Sequence, residues 1–154
     1  MKLTIESIGY AHSERQEAID DNWKDVKSWI ELNDNYSEES LSGLQEFSHV
    51  EIIYYFHKVN PNNIIIDAEY PRENQNYPKV GIFSQRKKAR PNLLGLTICE
   101  IIRVEGRKLF VRGFDAIDKT PVIDIKPVFK EYLPENISEV RQPNWVTELM
   151  INYW

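Results

Sequence analysis

One short segment between two apolar runs concentrates cations and polar groups. It reads Gly81-Ile82-Phe83-Ser84-Gln85-Arg86-Lys87-Lys88-Ala89-Arg90-Pro91-Asn92-Leu93-Leu94-Gly95-Leu96. Arginine offers a rigid fork of donors for a carboxylate or a phosphate, and Pro91 limits the backbone beside Arg90 and Asn92. Polar groups on an irregular connection commonly bind ligands. The segment therefore predicts an anion-binding loop, and a solvated basic turn is the alternative because runs of charge usually lie on the surface.

A second group of polar residues surrounds a predicted turn, Gly113-Phe114-Asp115-Ala116-Ile117-Asp118-Lys119-Thr120-Pro121. The carboxylates of Asp115 and Asp118 could accept hydrogen bonds from a ribose or an amine. Aspartate also stabilises turns through its own backbone. The spacing alone leaves both roles open.

Several chemistries are disfavoured by missing patterns. The sequence has no G-x-G-x-x-G, G-x-x-x-x-G-K-[ST], H-E-x-x-H or G-x-S-x-G motif, which disfavours the usual nucleotide-binding folds. His12, His49 and His57 are scattered, and a lone histidine is more often structural than a ligand. We expect no metal site.

Composition indicates one folded domain. The chain has 154 residues, is 42% hydrophobic and carries a formal charge of -5. Acidic residues dominate positions 1–50 and basic residues dominate 79–112, so a local anion site is compatible with an acidic protein. A charged residue comes early, no long apolar run follows, and Cys99 is the single cysteine, so we expect a cytoplasmic protein without a membrane segment.

Short runs rich in β-branched and aromatic residues, separated by Gly, Pro, Asn and Asp, are typical of an all-β sandwich or barrel. We predict strands at 26–32, 51–56, 63–66, 96–104, 108–114 and 121–127. Gly106 suits a tight hairpin between two of them. Short helices are predicted at roughly 37–47, interrupted by Gly43, and at 144–151.

Three ordered segments resemble the TrmO (TsaA-like) family of tRNA methyltransferases. Residues 43–58 are similar to its G-L-E-x-F-S-H-L segment and the strand that follows. Residues 81–95 are similar to G-V-F-A-T-R-S-x-x-R-P-N-P-I-G, and residues 115–127 to D-x-x-D-G-T-P-V-L-D-I-K-P. Among the departures, Lys119 stands for the usual turn glycine and Leu93-Leu94 for Pro-Ile. A weaker match lies at Ile8-Gly9.

The resemblance implies an all-β fold: a small β-barrel with short helices and extended loops, not Rossmann-like, over residues 1–134. It also implies a homodimer that binds S-adenosylmethionine near the subunit boundary. The reaction it implies is methylation of threonylcarbamoyladenosine in tRNA, next to the anticodon. Residues 135–154 end in Tyr153-Trp154, and such large aromatics are costly to leave in water. We therefore expect a C-terminal tail docked on the barrel or on a dimer partner.

The resemblance also implies site residues by position. Expected cofactor-binding residues are His57, Lys58, Arg86, Leu96, Asp115, Ala116, Ile117 and Asp118, with Asp21 and Asn22 from a looser N-terminal match. Expected substrate or RNA contacts are Lys87, Lys88, Arg90, Asn92 and Lys126. If the acceptor nitrogen must lose a proton, Asp118 or His57 is the candidate base.

Two other functions stay open on sequence grounds. One is a methyltransferase that acts on a small metabolite, since residues 81–96, which we call the basic loop, depart from the family pattern. The other is a non-catalytic binding module on the same barrel.

Overall fold

A closed, antiparallel six-stranded barrel forms the body of the protein in the computed structural model, which describes residues 1–154. The strands follow the order β1-β2-β7-β6-β3-β8 around the barrel, and β4 and β5 form a separate two-stranded sheet. Their bounds are β1 Gly9–Ser13, β2 Lys27–Leu32, β3 His49–Tyr55, β4 Ala68–Glu69, β5 Val80–Gly81, β6 Leu94–Glu105, β7 Lys108–Arg112 and β8 Pro121–Pro127. The one α-helix, α1, spans Asn144–Leu149.

Alternating burial along the strands explains why the sheet closes. In β2 the side chains of Ser28, Ile30 and Leu32 are buried, whereas Trp29 and Glu31 are only partly covered. Strands β3 and β7 alternate in the same way, so every strand presents apolar side chains to one interior. The core comprises Ala11, Ile30, Leu32, Leu41, Val50, Ile52, Tyr54, Cys99, Leu109, Val111, Phe114, Ala116 and Val122.

Most predicted strands are present. The hairpin of β6 and β7 turns at Gly106, whose φ of 57° lies in the left-handed region that glycine tolerates. Strand β1 was not predicted, because its five residues carry His12 and Ser13 and no apolar run marks them.

The predicted core strand at 63–66 is wrong. A 3₁₀ turn spans Pro61–Asn63, Ile64 and Ile65 are only partly buried, and the side chain of Ile66 is 73% exposed. The amide of Ile65 bonds to the carbonyl of Ala89. This apolar run is therefore hydrogen-bonded to the basic loop instead of pairing in the barrel.

The predicted helix at 37–47 is two 3₁₀ turns, Glu38–Leu41 and Leu44–Glu46. Gly43 between them has a φ of 86°, which breaks the helical path. Further 3₁₀ turns lie at Pro71–Glu73, Ile82–Ser84, Pro91–Leu93, Lys130–Tyr132 and Ile137–Glu139. No helix in the structure combines the length and apolar character needed to cross a membrane.

Candidate functional site

Asp115 is the hub of a hydrogen-bonded group that joins distant parts of the chain. Its Oδ1 accepts from the hydroxyls of Tyr54 (2.8 Å) and Thr97, and its Oδ2 accepts from the hydroxyl of Tyr153. Burial raises the pKa of the Tyr54 hydroxyl and the charge of Asp115 raises it further, so this hydroxyl stays protonated and donates. We call Tyr54, Thr97, Asp115 and Tyr153 the Asp115 cluster.

Arg86 lies beside this cluster. Its guanidinium donates to the carbonyl of Leu96, and the next residue in β6 is Thr97, which donates to Asp115. Arg86 is exposed and also lies near enough to Tyr153 to influence its hydroxyl electrostatically. The basic loop and residues 113–121, which we call the acidic turn, therefore meet at the start of β6, although they are separate in sequence.

Asp118 sits at the other end of the turn and is tied to the end of β1. Its Oδ1 accepts from the amide of Ser13 (3.2 Å), and its own amide donates to the carbonyl of Arg15 (2.8 Å). The Nζ of Lys58 donates to the carbonyl of Gln16 (3.0 Å). Residues 13–16 thus connect Asp118 with Lys58.

The looser N-terminal candidates join the same region. The guanidinium of Arg15 donates to the carbonyls of Asp21 (2.8 Å) and Asn22, and it lies 4.2 Å from the ring centroid of Trp23. The Asp21 carboxylate also pairs with Arg72 at 2.7 Å. A cleft adjoins this corner, lined by Glu14, Arg15, Asn22, Asp25, Val26 and Lys27.

Sequence reasoning missed several residues of this region. Ser13, Arg15 and Gln16 belong to no recognised motif, and Tyr54 and Thr97 resemble ordinary strand residues in the sequence. Tyr153 was noted only as part of an aromatic tail. The signal available for Tyr54 and Thr97 was polarity at inward-facing strand positions, because a buried hydroxyl needs a partner.

The backbone of the turn is the part best suited to a ligand. Ala116 and Ile117 are buried, 3% and 7% exposed, yet their amides donate no hydrogen bond within the chain. Ala116 belongs to the barrel core, so it would contact a cofactor through its backbone. A nucleoside offers acceptors that would satisfy such amides, so the residues present fit S-adenosylmethionine.

His57 is half-buried next to Lys58. Burial lowers the pKa of its imidazole and the charge of Lys58 lowers it further, while a hydrogen bond to the Tyr55 carbonyl acts in the opposite direction. The ring is therefore neutral at physiological pH. A neutral imidazole can accept a proton, and it does not repel a cation.

The residues predicted to contact RNA differ in whether their side chains already have partners within the chain. Lys87 pairs with Glu69, and the guanidinium of Arg90 donates to the carbonyl of Gln85 at 2.8 Å, so both hold the loop in shape. Lys126 pairs with Asp124 at 2.5 Å on β8. Lys88 and Asn92 are exposed, and Asn92 has a φ of 66°. The loop therefore offers fewer free cations than its sequence suggests.

No group of three or more His, Cys, Asp and Glu side chains is placed to hold a metal ion. The prediction of no metal stays a prediction.

The closed barrel, with loops that converge on Asp115 and Asp118, defines a small all-β protein with a candidate ligand site at the barrel's edge. The family described as tRNA-methyltransferase O N-terminal domain matches residues 12–133. The chain belongs to this family, as its sequence motifs predicted.

Individual relatives agree with that assignment. The mouse tRNA (adenine(37)-N6)-methyltransferase is 46% identical over 105 residues, which cover 68% of this chain and 24% of the mouse protein. An S-adenosyl-L-methionine-binding protein of Archaeoglobus fulgidus is 32% identical over 121 residues, covering 79% of this chain and 83% of that protein. The crystal structure of TrmO from Pseudomonas aeruginosa has a TM-score of 0.73 at 26% identity and covers 93% of this chain and 61% of that chain. The chain thus spans about a quarter of the length of the mammalian relatives it matches.

Proposed function

We propose that this protein is an S-adenosylmethionine-dependent methyltransferase whose cofactor binds between Arg86, the 115–118 turn and Lys58. The observation that carries the proposal is that the amides of the buried residues Ala116 and Ile117 donate no hydrogen bond within the chain and lie between the two carboxylates of the turn. The names of the Archaeoglobus and mouse relatives support the choice of cofactor and reaction.

The cofactor supplies an electrophilic methyl group on a sulfonium. The protein would hold the acceptor atom in line with the methyl group and keep other orientations from forming. Such positioning needs little covalent catalysis. Arg86 would hold the methionyl carboxylate, and the turn would hold the nucleoside. His57 is the better candidate for proton acceptor, because it is neutral while Asp118 already accepts from the Ser13 amide.

Calorimetry with S-adenosylmethionine tests the cofactor site. Arg86→Ala should lose detectable binding, because the guanidinium beside Leu96 is removed. Arg103→Ala is the matched control, because Arg103 lies on β6 about 20 Å along the strand from Leu96 and packs on Phe110. Unchanged affinity in Arg86→Ala would remove the assignment.

We propose a modified adenosine in tRNA, threonylcarbamoyladenosine next to the anticodon, as the methyl acceptor. The mouse, human and rat relatives, each named tRNA (adenine(37)-N6)-methyltransferase, support an adenosine in tRNA, and the exposed Lys88 offers a cation for a phosphate. The test is transfer of labelled methyl to tRNA, followed by nucleoside mass spectrometry. Salt should weaken the transfer steeply, because phosphate contacts release counterions. Methylation of small-molecule fractions without RNA would favour a metabolite methyltransferase, and absence of bound cofactor would favour a non-catalytic module.

We also propose a homodimer that pairs through the outer face of β6. Leu96, Ile98 and Ile102 on this face are each more than 40% exposed, and adjacent apolar side chains of this kind are typical of interfaces. Light scattering should show a dimer that Ile98→Asp converts to a monomer. Ile66→Asp, at a residue 73% exposed elsewhere, should leave the mass unchanged. A monomeric wild-type protein would contradict the proposal.

We further infer that residues 1–134 form the barrel domain and that residues 135–154 dock on the same chain. We also infer that the protein works in the cytoplasm. The amides of Asn22 and Trp23 donate to the tail carbonyls of Asn152 and Tyr153, which supports docking. A single cysteine, buried in the barrel, suits a reducing compartment. Limited proteolysis that removed the tail at once, or fractionation outside the cytoplasm, would contradict these assignments.

A further inference from the structure

The last residues of the chain are held beside the proposed cofactor site by backbone hydrogen bonds. The carbonyl of Asn152 accepts from the amide of Asn22 at 2.7 Å, and the carbonyl of Tyr153 accepts from the amide of Trp23 at 2.8 Å. Trp23 is 3% exposed, so the second bond anchors the tail to a buried residue. The position of Tyr153 is therefore fixed independently of its side chain.

The side chain of Tyr153 completes the Asp115 carboxylate. Tyr54 and Thr97 both donate to Oδ1, whereas Oδ2 accepts only from Tyr153. A carboxylate that is partly buried needs a partner at each oxygen. Without the Tyr153 hydroxyl, Oδ2 would have no donor within the chain.

The electrostatic surroundings keep this hydroxyl a donor. Burial raises the pKa of Tyr153 and the charge of Asp115 raises it further, while the nearby Arg86 guanidinium opposes the rise. Hydrogen bonds from Tyr153 and Thr97 to Asp115, and from Arg86 to the carbonyl of Leu96, bring the tail, the basic loop and the acidic turn together. Asp115 directly precedes Ala116 and Ile117, whose amides donate no hydrogen bond within the chain, so a shift of Asp115 would move the start of the turn that carries those amides.

We propose that Tyr153 is a positioning residue of the methyl-donor site: its hydroxyl holds Asp115 so that the 115–118 turn presents the Ala116 and Ile117 amides to S-adenosylmethionine. The inference rests on the proposed function and extends it to a residue outside the matched family region, 12–133. It makes the C-terminal tail part of the site.

The test is calorimetric titration of the full chain with S-adenosylmethionine. Tyr153→Phe removes only the hydroxyl and should weaken the affinity by about tenfold or more, since hydrogen bonds to charged groups are the stronger ones. The stoichiometry should stay at the wild-type value, because misfolding would lower the number of sites and leave their affinity intact. Tyr132→Phe is the control: it removes the hydroxyl of a tyrosine that is 83% exposed and should bind as wild type does.

Hydrogen exchange gives a readout that does not need the cofactor. In Tyr153→Phe the amides of Asp118, Lys119 and Thr120, which bond to Arg15, Ala11 and Ile117, should exchange faster, while strand β3 keeps its protection. Uniformly faster exchange would indicate loss of stability and would overturn the positioning role.

The outcomes separate the two proposals. If wild-type protein binds no S-adenosylmethionine, the proposed function fails and the inference falls with it. If the wild type binds and Tyr153→Phe binds equally well, only the inference fails. Tighter binding by Tyr153→Phe would also overturn it, because the tail would then compete with the cofactor.

Discussion

The guanidinium of Arg86 and the carboxylate of Asp115 are hydrogen-bonded to consecutive residues of one strand, Leu96 and Thr97 of β6. Arg86 donates to the carbonyl of Leu96, and the hydroxyl of Thr97 donates to Asp115. An inward-facing strand residue follows an outward-facing one, so β6 links a cation outside the barrel to an anion at its interior edge. This arrangement makes the contribution of Thr97 directly testable.

Thr97→Val should destabilise the protein by about 1–2 kcal/mol, because it removes a donor to a partly buried carboxylate without changing side-chain volume. Urea denaturation measures the loss. Thr4→Val, at an exposed position, should leave the free energy of unfolding unchanged. Equal stabilities of the two variants would show that the Thr97 bond contributes nothing.

Gly95→Ala should disturb the Asp115 cluster through packing. A methyl group at Gly95 would lie 2.3 Å from the nearest ring atom of Tyr54, which is almost fully buried. The overlap should cost about 1–3 kcal/mol of stability and weaken S-adenosylmethionine binding. Gly81→Ala meets no atom within 4 Å and serves as the control. A Gly95→Ala protein as stable as Gly81→Ala would contradict the close approach.

Acid should destabilise the protein through His57. Because the folded state lowers the pKa of His57 below its ordinary value of about 6.5, the unfolded state binds the proton more readily. Stability contributed by the neutral ring is therefore complete above that value and is lost as the pH falls toward the folded-state pKa. Denaturation at a series of pH values should show a smaller decline in His57→Gln. Identical pH profiles would contradict the shift.

Lys119→Gly should stabilise the acidic turn. Lys119 has a φ of 63°, and a left-handed conformation costs a residue with a Cβ about 1–2 kcal/mol. Glycine avoids this cost but loses more chain entropy, so we expect a net gain below about 1 kcal/mol. Thermal denaturation measures it. Lys108→Gly in strand β7 should lower stability instead, and a decrease in both variants would refute the strain.

The thiol of Cys99 should resist labelling in the folded protein. Cys99 is fully buried in the barrel, and burial raises the pKa of its thiol. Reaction with a chromogenic disulfide should be slow in buffer and rapid in denaturant, where one thiol per chain reacts. Fast labelling in buffer would indicate that the barrel opens readily.

Much of the barrel was predictable, because its strands carry local patterns. The runs around Ile30, Ile52, Leu109 and Val122 alternate or cluster apolar residues, and the turn at Gly106 needs a residue that tolerates positive φ. The wrong strand prediction at 63–66 also came from a local pattern. A short apolar run looks identical in sequence whether it enters the barrel or lies against a loop. The exposure of Ile66 and the bond from the Ile65 amide to the Ala89 carbonyl distinguish the two.

The sequence by itself determined the family, the all-β class and the chemical character of the basic loop and the acidic turn, since these depend on residue types and their order along the chain. The tertiary structure decided which of those residues meet: that Arg86 lies beside Thr97, that Asp118 is tied to Ser13, and that Lys87 and Arg90 are engaged within the loop. It also brought Tyr153 to Asp115. Such pairings depend on how strands are ordered around a closed barrel, and strand order arises from contacts between residues far apart in sequence, which no local pattern records.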